Sequence, residues 1–188
     1  MMFKTASFKN IFRFQAFTVA ELMVTVAVIG VLSAVVFTSS QAFLRRDQAN
    51  AAAAELVGWL EAISARSGSV GPCTVQFTAA NGLAPGATFA SLQAGDARCT
   101  PEPNLALPAT DGNRTYNVAV TYTPNGTTAL AFTNRAGVVA NGVEAVVRIS
   151  VNNQLPLRCV RIRFGTLSTG INNATGDVAQ TCTVWERT

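Results

Sequence analysis

The run from Phe17 to Phe37, FTVAELMVTVAVIGVLSAVVF, constrains this chain more than any other segment, because it is continuously apolar apart from a single charge, Glu21. Its length of about 21 residues suffices for a helix to cross a hydrocarbon core of ~30 Å. Lys4, Lys9 and Arg13 precede it, and the next basic residues, Arg45 and Arg46, lie about two turns beyond its end. The positive-inside rule then keeps residues 1–16 cytoplasmic and exports the rest, a single-pass protein of the inner (plasma) membrane in contact with lipid. A cleaved secretory signal would have a shorter apolar core followed by a small-x-small site. A plain anchor fits the same pattern but leaves Glu21 unexplained: a carboxylate at the bilayer centre costs roughly 2.5 kcal/mol or more and calls for a partner.

The other totals narrow the chemistry. The 188 residues allow one domain plus the anchor. Removing Lys4, Lys9 and Arg13 from the 14 basic residues leaves 11 against 10 acids, so the exported part is near neutral and its global charge gives no case for nucleic-acid binding. The absence of histidine excludes His-dependent triads, His-ligated zinc or haem and an imidazole base. With no lysine after Lys9, no carboxylate pair spaced for acid/base work and no glycine-rich phosphate loop, the chain reads as a non-enzyme without metal or cofactor. Cys73, Cys99, Cys159 and Cys182 lack CxxC spacing, which favours disulfides in an oxidising compartment over a metal site. Three pairings are possible; Cys73 with Cys99 and Cys159 with Cys182 each close a local loop and are favoured, though connectivity stays open in the sequence.

The residues QAFTVAELMVTVAVIGVLSAVV resemble the prepilin leader and helix of type IV pilins and type II secretion pseudopilins. The resemblance implies a peptidase cut after Ala16, N-methylation of Phe17, and a Glu four residues on, here Glu21, that aids assembly by pairing with the Phe17 amine of a neighbouring copy. Thr18 and Gly30 also fit, whereas Ala16 stands where the family usually has Gly and Thr38 where many members carry a kinking Pro. The implied partners are other pilin or pseudopilin subunits, the prepilin peptidase, and an assembly ATPase with its inner-membrane platform.

Beyond the apolar run, strong helix formers without proline extend the helix to about Ser67, roughly 75 Å in all, before Gly68 and Pro72 end it. Leu56, Trp59, Leu60 and Ile63 recur at helical spacing and need a sheet to cover them. Short β-rich runs follow, at 73–79, 115–123, 127–133, 143–151, 157–164 and 181–186, while 80 to about 112 reads as a disulfide-tied loop. The expected fold is therefore α+β and pilin-like: leader 1–16, a membrane and assembly helix 17–40, an amphipathic half 41–68, and a small antiparallel sheet domain 69–188.

LAFTNRAGVVANGVEAVVRISV followed by LRCVRIRFGTLSTG resembles the C-terminal domain of H-type pseudopilins and FimT-like minor pilins, with Arg135, Gly137, Gly165 and Gly170 at the matching positions. Arg158, Arg161 and Arg163 are the densest positive feature, and strand alternation puts Arg161 and Arg163 on one exposed face. Two readings compete. One is a phosphate-contacting strip, since the FimT-like resemblance implies DNA capture; the other is a solvated face with salt bridges to Glu144 or Asp177. The function expected is thus a minor pilin or pseudopilin polymerising through its N-terminal helix into a type IV pilus or secretion pseudopilus, with a DNA-binding minor pilin as the alternative. Mass spectrometry of the protein from its host should find a peptide beginning with N-methylated Phe17; an intact leader, or a cut after Ser33 or Ala34, would contradict the processing.

Overall fold

The computed structural model describes residues 18–96, 98–109, 113–133 and 142–187. The chain forms two compact units, Met1–Ser40 and Gln41–Thr188. Helix α1 spans Val19–Val70 and contributes to both. Its described side chains in the first unit, those of 19–34 and Ser40, are exposed on every side.

In the second unit α1 buries one stripe, Ala49, Ala52, Ala53, Leu56, Val57, Leu60 and Ile63, at the 3.6-residue repeat of a helix packed on one face. Gly68 does not end the helix. The chain leaves it at Gly71, whose φ of +109° suits a residue without Cβ, and the Gly71 N–H donates back to the Ser67 carbonyl at 3.3 Å.

Among the described residues ten strands follow in two sheets, all paired antiparallel. The four-stranded sheet has the order β4 (Asn104–Ala106), β3 (Thr88–Leu92), β1 (Cys73–Phe77), β6 (Ala129–Phe132). The six-stranded sheet runs β10 (Val184–Arg187), β9 (Thr166–Asn172), β8 (Gln154–Arg163), β7 (Glu144–Val151), β5 (Tyr116–Thr123), β2 (Ala80–Leu83). Two two-residue turns fix the central register. Asn152 and Asn153, with φ of +52° and +55°, join β7 to β8, and Phe164–Gly165, at +49° and +78°, joins β8 to β9. Positive φ at both central residues matches the right-handed twist of the flanking strands.

Side chains of both sheets enter one core with the α1 stripe: Val75, Phe89, Leu130 and Phe132 from the first, Val118, Val147, Ile149, Val160 and Ile162 from the second. Trp59 donates its indole N–H to the Glu102 carbonyl at 2.9 Å, and Ser67 Oγ donates to the carbonyls of Ser64 at 2.8 Å and Thr133 at 3.1 Å. These bonds satisfy polar groups that burial would otherwise leave costly. Tyr116 is buried with its hydroxyl donating to Pro108 at 3.2 Å; burial, reinforced by the negative charge of Glu55, pushes its pKa up to about 12. Disulfides join Cys73 to Cys99 and Cys159 to Cys182, the two local closures.

These observations correct the expected fold class. The β part is not a small sheet beneath a pilin-like helix but ten strands in two sheets, and segment 80–112, read as a loop, contains β2, β3 and β4. Its Ala, Gly and Pro residues carry no period-two pattern; backbone pairing with β1 and β5 makes it strand. Strand β9 was also missing from the sequence reading, since its Ser, Thr and Gly residues dilute the apolar alternation.

The single-pass inner-membrane localisation is corrected as well: among the described residues no helix is long and apolar enough to cross a membrane. From Gln41 the helix is committed to the β-rich unit. The leader, 1–16, lies outside the described residues.

Two glycines test the packing in opposite directions. A Cβ on Gly176 would lie 2.1 Å from the backbone carbon of Gln154, so Gly176→Ala should cost roughly 1–3 kcal/mol. Gly58 is exposed in mid-helix with nothing within 4 Å of its Cβ position, so Gly58→Ala should stabilise by up to about 1 kcal/mol. Urea unfolding of the full chain reads both; a Gly176→Ala midpoint equal to wild type would contradict the close approach.

Candidate functional site

Glu21 sits in the first turn of α1 and closes a reciprocal pair with Thr18. The Glu21 N–H donates to Thr18 Oγ1 at 3.2 Å, while the Thr18 N–H and hydroxyl donate to Glu21 Oε2 at 2.9 and 3.0 Å. This is a capping box: each side chain satisfies a backbone donor that the helix start leaves without an intrahelical acceptor. The sequence reading missed it, although the signal Thr-x-x-Glu was present at 18–21. Glu21 thus has a local role in starting the helix in addition to any role between copies. Ala16 and Phe17 lie outside the described residues.

Past the cap, Val19, Leu22, Met23, Val24, Val26, Val28, Ile29, Val31 and Leu32 are 52–75% exposed. The hydroxyls between them add no polar face, because Thr25 donates to the Leu22 carbonyl at 2.9 Å and Ser33 to the Ile29 carbonyl at 2.7 Å. Turning hydroxyls back onto the helix leaves a surface whose character is set by aliphatic groups all round.

The three arginines singled out in the sequence do not converge. Register places Arg161 and Arg163 on the outer face of β8, beside Cys159 and away from the core, while Arg158 follows Val160 and Ile162 on the face toward the core. The Arg161 guanidinium lies 4.2 Å from the centre of the Trp185 ring, a cation–π contact, and Arg163 pairs with Glu144 at 3.4 Å. Asp177 acts on Arg148 instead, opposing the burial that pulls the Arg148 pKa down.

Arg148 shares the outer face and was not among the sequence candidates. It donates to the carbonyls of Ala179 at 3.2 Å and Gln180 at 3.3 Å and to Thr121 Oγ1, strapping the C-terminal segment onto the sheet. The outer face is therefore held by interactions within the chain. Gly170 lies opposite Trp185, where a Cβ would meet the indole at 2.8 Å, so glycine at this position gives the ring its seat. Gly165 supplies the positive-φ second residue of the β8–β9 turn; Arg135 and Gly137 lie outside the described residues.

No protein-family model, curated protein or solved structure matches this chain.

The capping box makes a separable prediction. Glu21→Gln keeps an acceptor at the third helical position and should leave amide exchange over residues 18–22 within about twofold of wild type, whereas Thr18→Ala should speed it by about fivefold, the equivalent of ~1 kcal/mol. Equal exchange in all three proteins would remove the local role of the pair.

Proposed function

We propose that the chain is a filament subunit, a minor pilin or pseudopilin, that polymerises through the apolar N-terminal part of α1 into a type IV pilus or a type II secretion pseudopilus. One observation carries the reading: the nine large aliphatic side chains from Val19 to Leu32 stand exposed around the whole helix. A helix hydrophobic on all sides is stable only when surrounded, and each Å² of apolar surface removed from water returns roughly 25 cal/mol. Copies of the same helix packed together supply that surround repeatedly, with one segment on every subunit.

Glu21 fits this role. In an apolar filament core its carboxylate would be penalised unless paired, and the Phe17 amine exposed by cleavage after Ala16 is the partner implied by the pilin resemblance. The prepilin peptidase, an assembly ATPase and its platform are proposed partners on the same ground. The DNA-capture alternative draws less support, because Arg163 is paired with Glu144, Arg161 is stacked on Trp185, and Arg158 is on the opposite face of the strand.

Single cysteines test the packing, since all four native cysteines are in disulfides. Full-length Val24→Cys, Val28→Cys and Val31→Cys proteins, oxidised in the native host, should give ladders of cross-linked copies from at least one position. Glu21→Gln should reduce the ladder severalfold. Monomer alone at all three positions, in cells that bear filaments, would overturn the proposal.

A further inference from the structure

The outer face of the six-stranded sheet carries a cleft of about 550 Å³ beside its β2 edge. The ladder places its floor: β5 pairs Asn117 with Ser150 and Ala119 with Arg148, so these four share the side turned away from the core that Val118 enters. Ala80 pairs with the inward Val118, which sets Asn81, its neighbour on the β2 edge, on the same outer side. The segment after β9 forms the facing wall with Asp177 and Val178, where Arg148 bonds it at Ala179. Asn153, from the β7–β8 turn, joins the lining.

Bonds within the chain orient the polar groups of this cleft. Asn117 is 7% exposed, and its Oδ1 accepts the Gly82 N–H at 3.0 Å, so the amide is fixed in direction and its Nδ2 hydrogens remain as donors. Asp177 Oδ1 accepts the Ala179 N–H at 2.9 Å, leaving Oδ2 to accept from a ligand. Arg148 and Asp177 are the charged residues of the lining, one of each sign, and among the described residues they form no ion pair with each other. Under the floor, Arg148 Nε and Ser150 Oγ are buried without a hydrogen-bond partner. Polar atoms kept at such a cost beside a preformed cleft of this size mark a place for a small polar ligand.

We infer that the cleft binds a neutral saccharide unit. Balanced charge gives no hold on an anion or a cation, whereas the amides of Asn81, Asn117 and Asn153 donate and accept at once, as sugar hydroxyls do. The small apolar surfaces of Ala79, Ala119 and Val178 complete the lining and can meet the C–H groups of a sugar ring. The site does not depend on the filament reading, since every residue of it belongs to the second unit.

The test uses the full chain in a detergent without sugar groups, with glucose, galactose, mannose and N-acetylglucosamine as probes and saturation-transfer NMR as the readout. At least one sugar should show saturable transfer, and glycerol at equal concentration should show none. Asp177→Asn, which keeps an acceptor for the Ala179 N–H, and Asn81→Ala, at an exposed position, should each weaken binding severalfold. Ala119→Leu, which fills the floor, should abolish it. No saturable transfer from any of the sugars overturns the inference, as does equal transfer from glycerol or an affinity unchanged in both polar variants. Should Ala119→Leu fail to fold, the two polar variants still decide.

Discussion

The β-rich unit depends on the packing of one helical stripe against two sheets at once. The main core is shared: Val75, Phe89, Leu130 and Phe132 from one sheet and Ala145, Val147, Ile149, Val160 and Ile162 from the other belong to a single cluster that the α1 stripe completes, while Leu157, Cys159, Val178 and Cys182 form a smaller cluster on the other face of the six-stranded sheet. Three alanines, Ala49, Ala52 and Ala53, give the first turns of the stripe little bulk, and Leu56, Leu60 and Ile63 then fill the space between layers. A buried leucine in such a position is worth about 2–5 kcal/mol against truncation, a large part of the ~5–15 kcal/mol total of a typical domain. Trp59 and Ser67 add bonds to Glu102 and Thr133 that fix where along its axis the helix sits. The Cys73–Cys99 disulfide ties the first strand after α1 to the loop carrying Glu102.

Strand β8 shows how one period-two alternation divides charge between two environments. Its outward arginines find partners in the chain, Glu144 for Arg163 and the Trp185 ring for Arg161. Its inward one, Arg158, shares the face of Val160 and Ile162, where burial, followed by the positive charge of Arg46, pulls its pKa down. The same alternation seats Trp185 over Gly170 and places Cys159 against Cys182, so the C-terminal segment is held by stacking, a covalent bond and the carbonyl contacts of Arg148 together. Closely spaced arginines in the sequence therefore do not make one electropositive strip.

The elements legible in the sequence were those whose pattern is carried by side chains. Leu56, Trp59, Leu60 and Ile63 announced a buried helical face, and the valine- and isoleucine-rich runs became β5, β7 and most of β8. The strands β2, β3, β4 and β9 were not, because Gly, Ala, Ser and Thr give no alternation and pairing is decided by the neighbouring backbone. Membership of two sheets was likewise invisible, since it is a property of long-range pairing. The pairing of Arg163 with Glu144 could be anticipated from cross-strand register, but the bonds of Arg148 to the Ala179 and Gln180 carbonyls depend on where the C-terminal segment comes to lie. The capping box is legible in the spacing of Thr18 and Glu21, where one carboxylate fits both a local cap and a role between molecules.

The cap and the proposed pairing between copies are chemically compatible on Glu21. Both donors of Thr18 converge on Oε2, and among the described residues Oε1 has no partner. A carboxylate accepts at both oxygens, so a neighbouring copy's amine can bind Oε1 while the cap stays intact. The cap holds the carboxylate at the helix start, so less side-chain freedom would be lost if the proposed second bond formed. In the proposed filament, flanked by exposed aliphatic side chains, a pre-held charge would supply what nonspecific apolar packing lacks, a single axial position at which two helices satisfy each other.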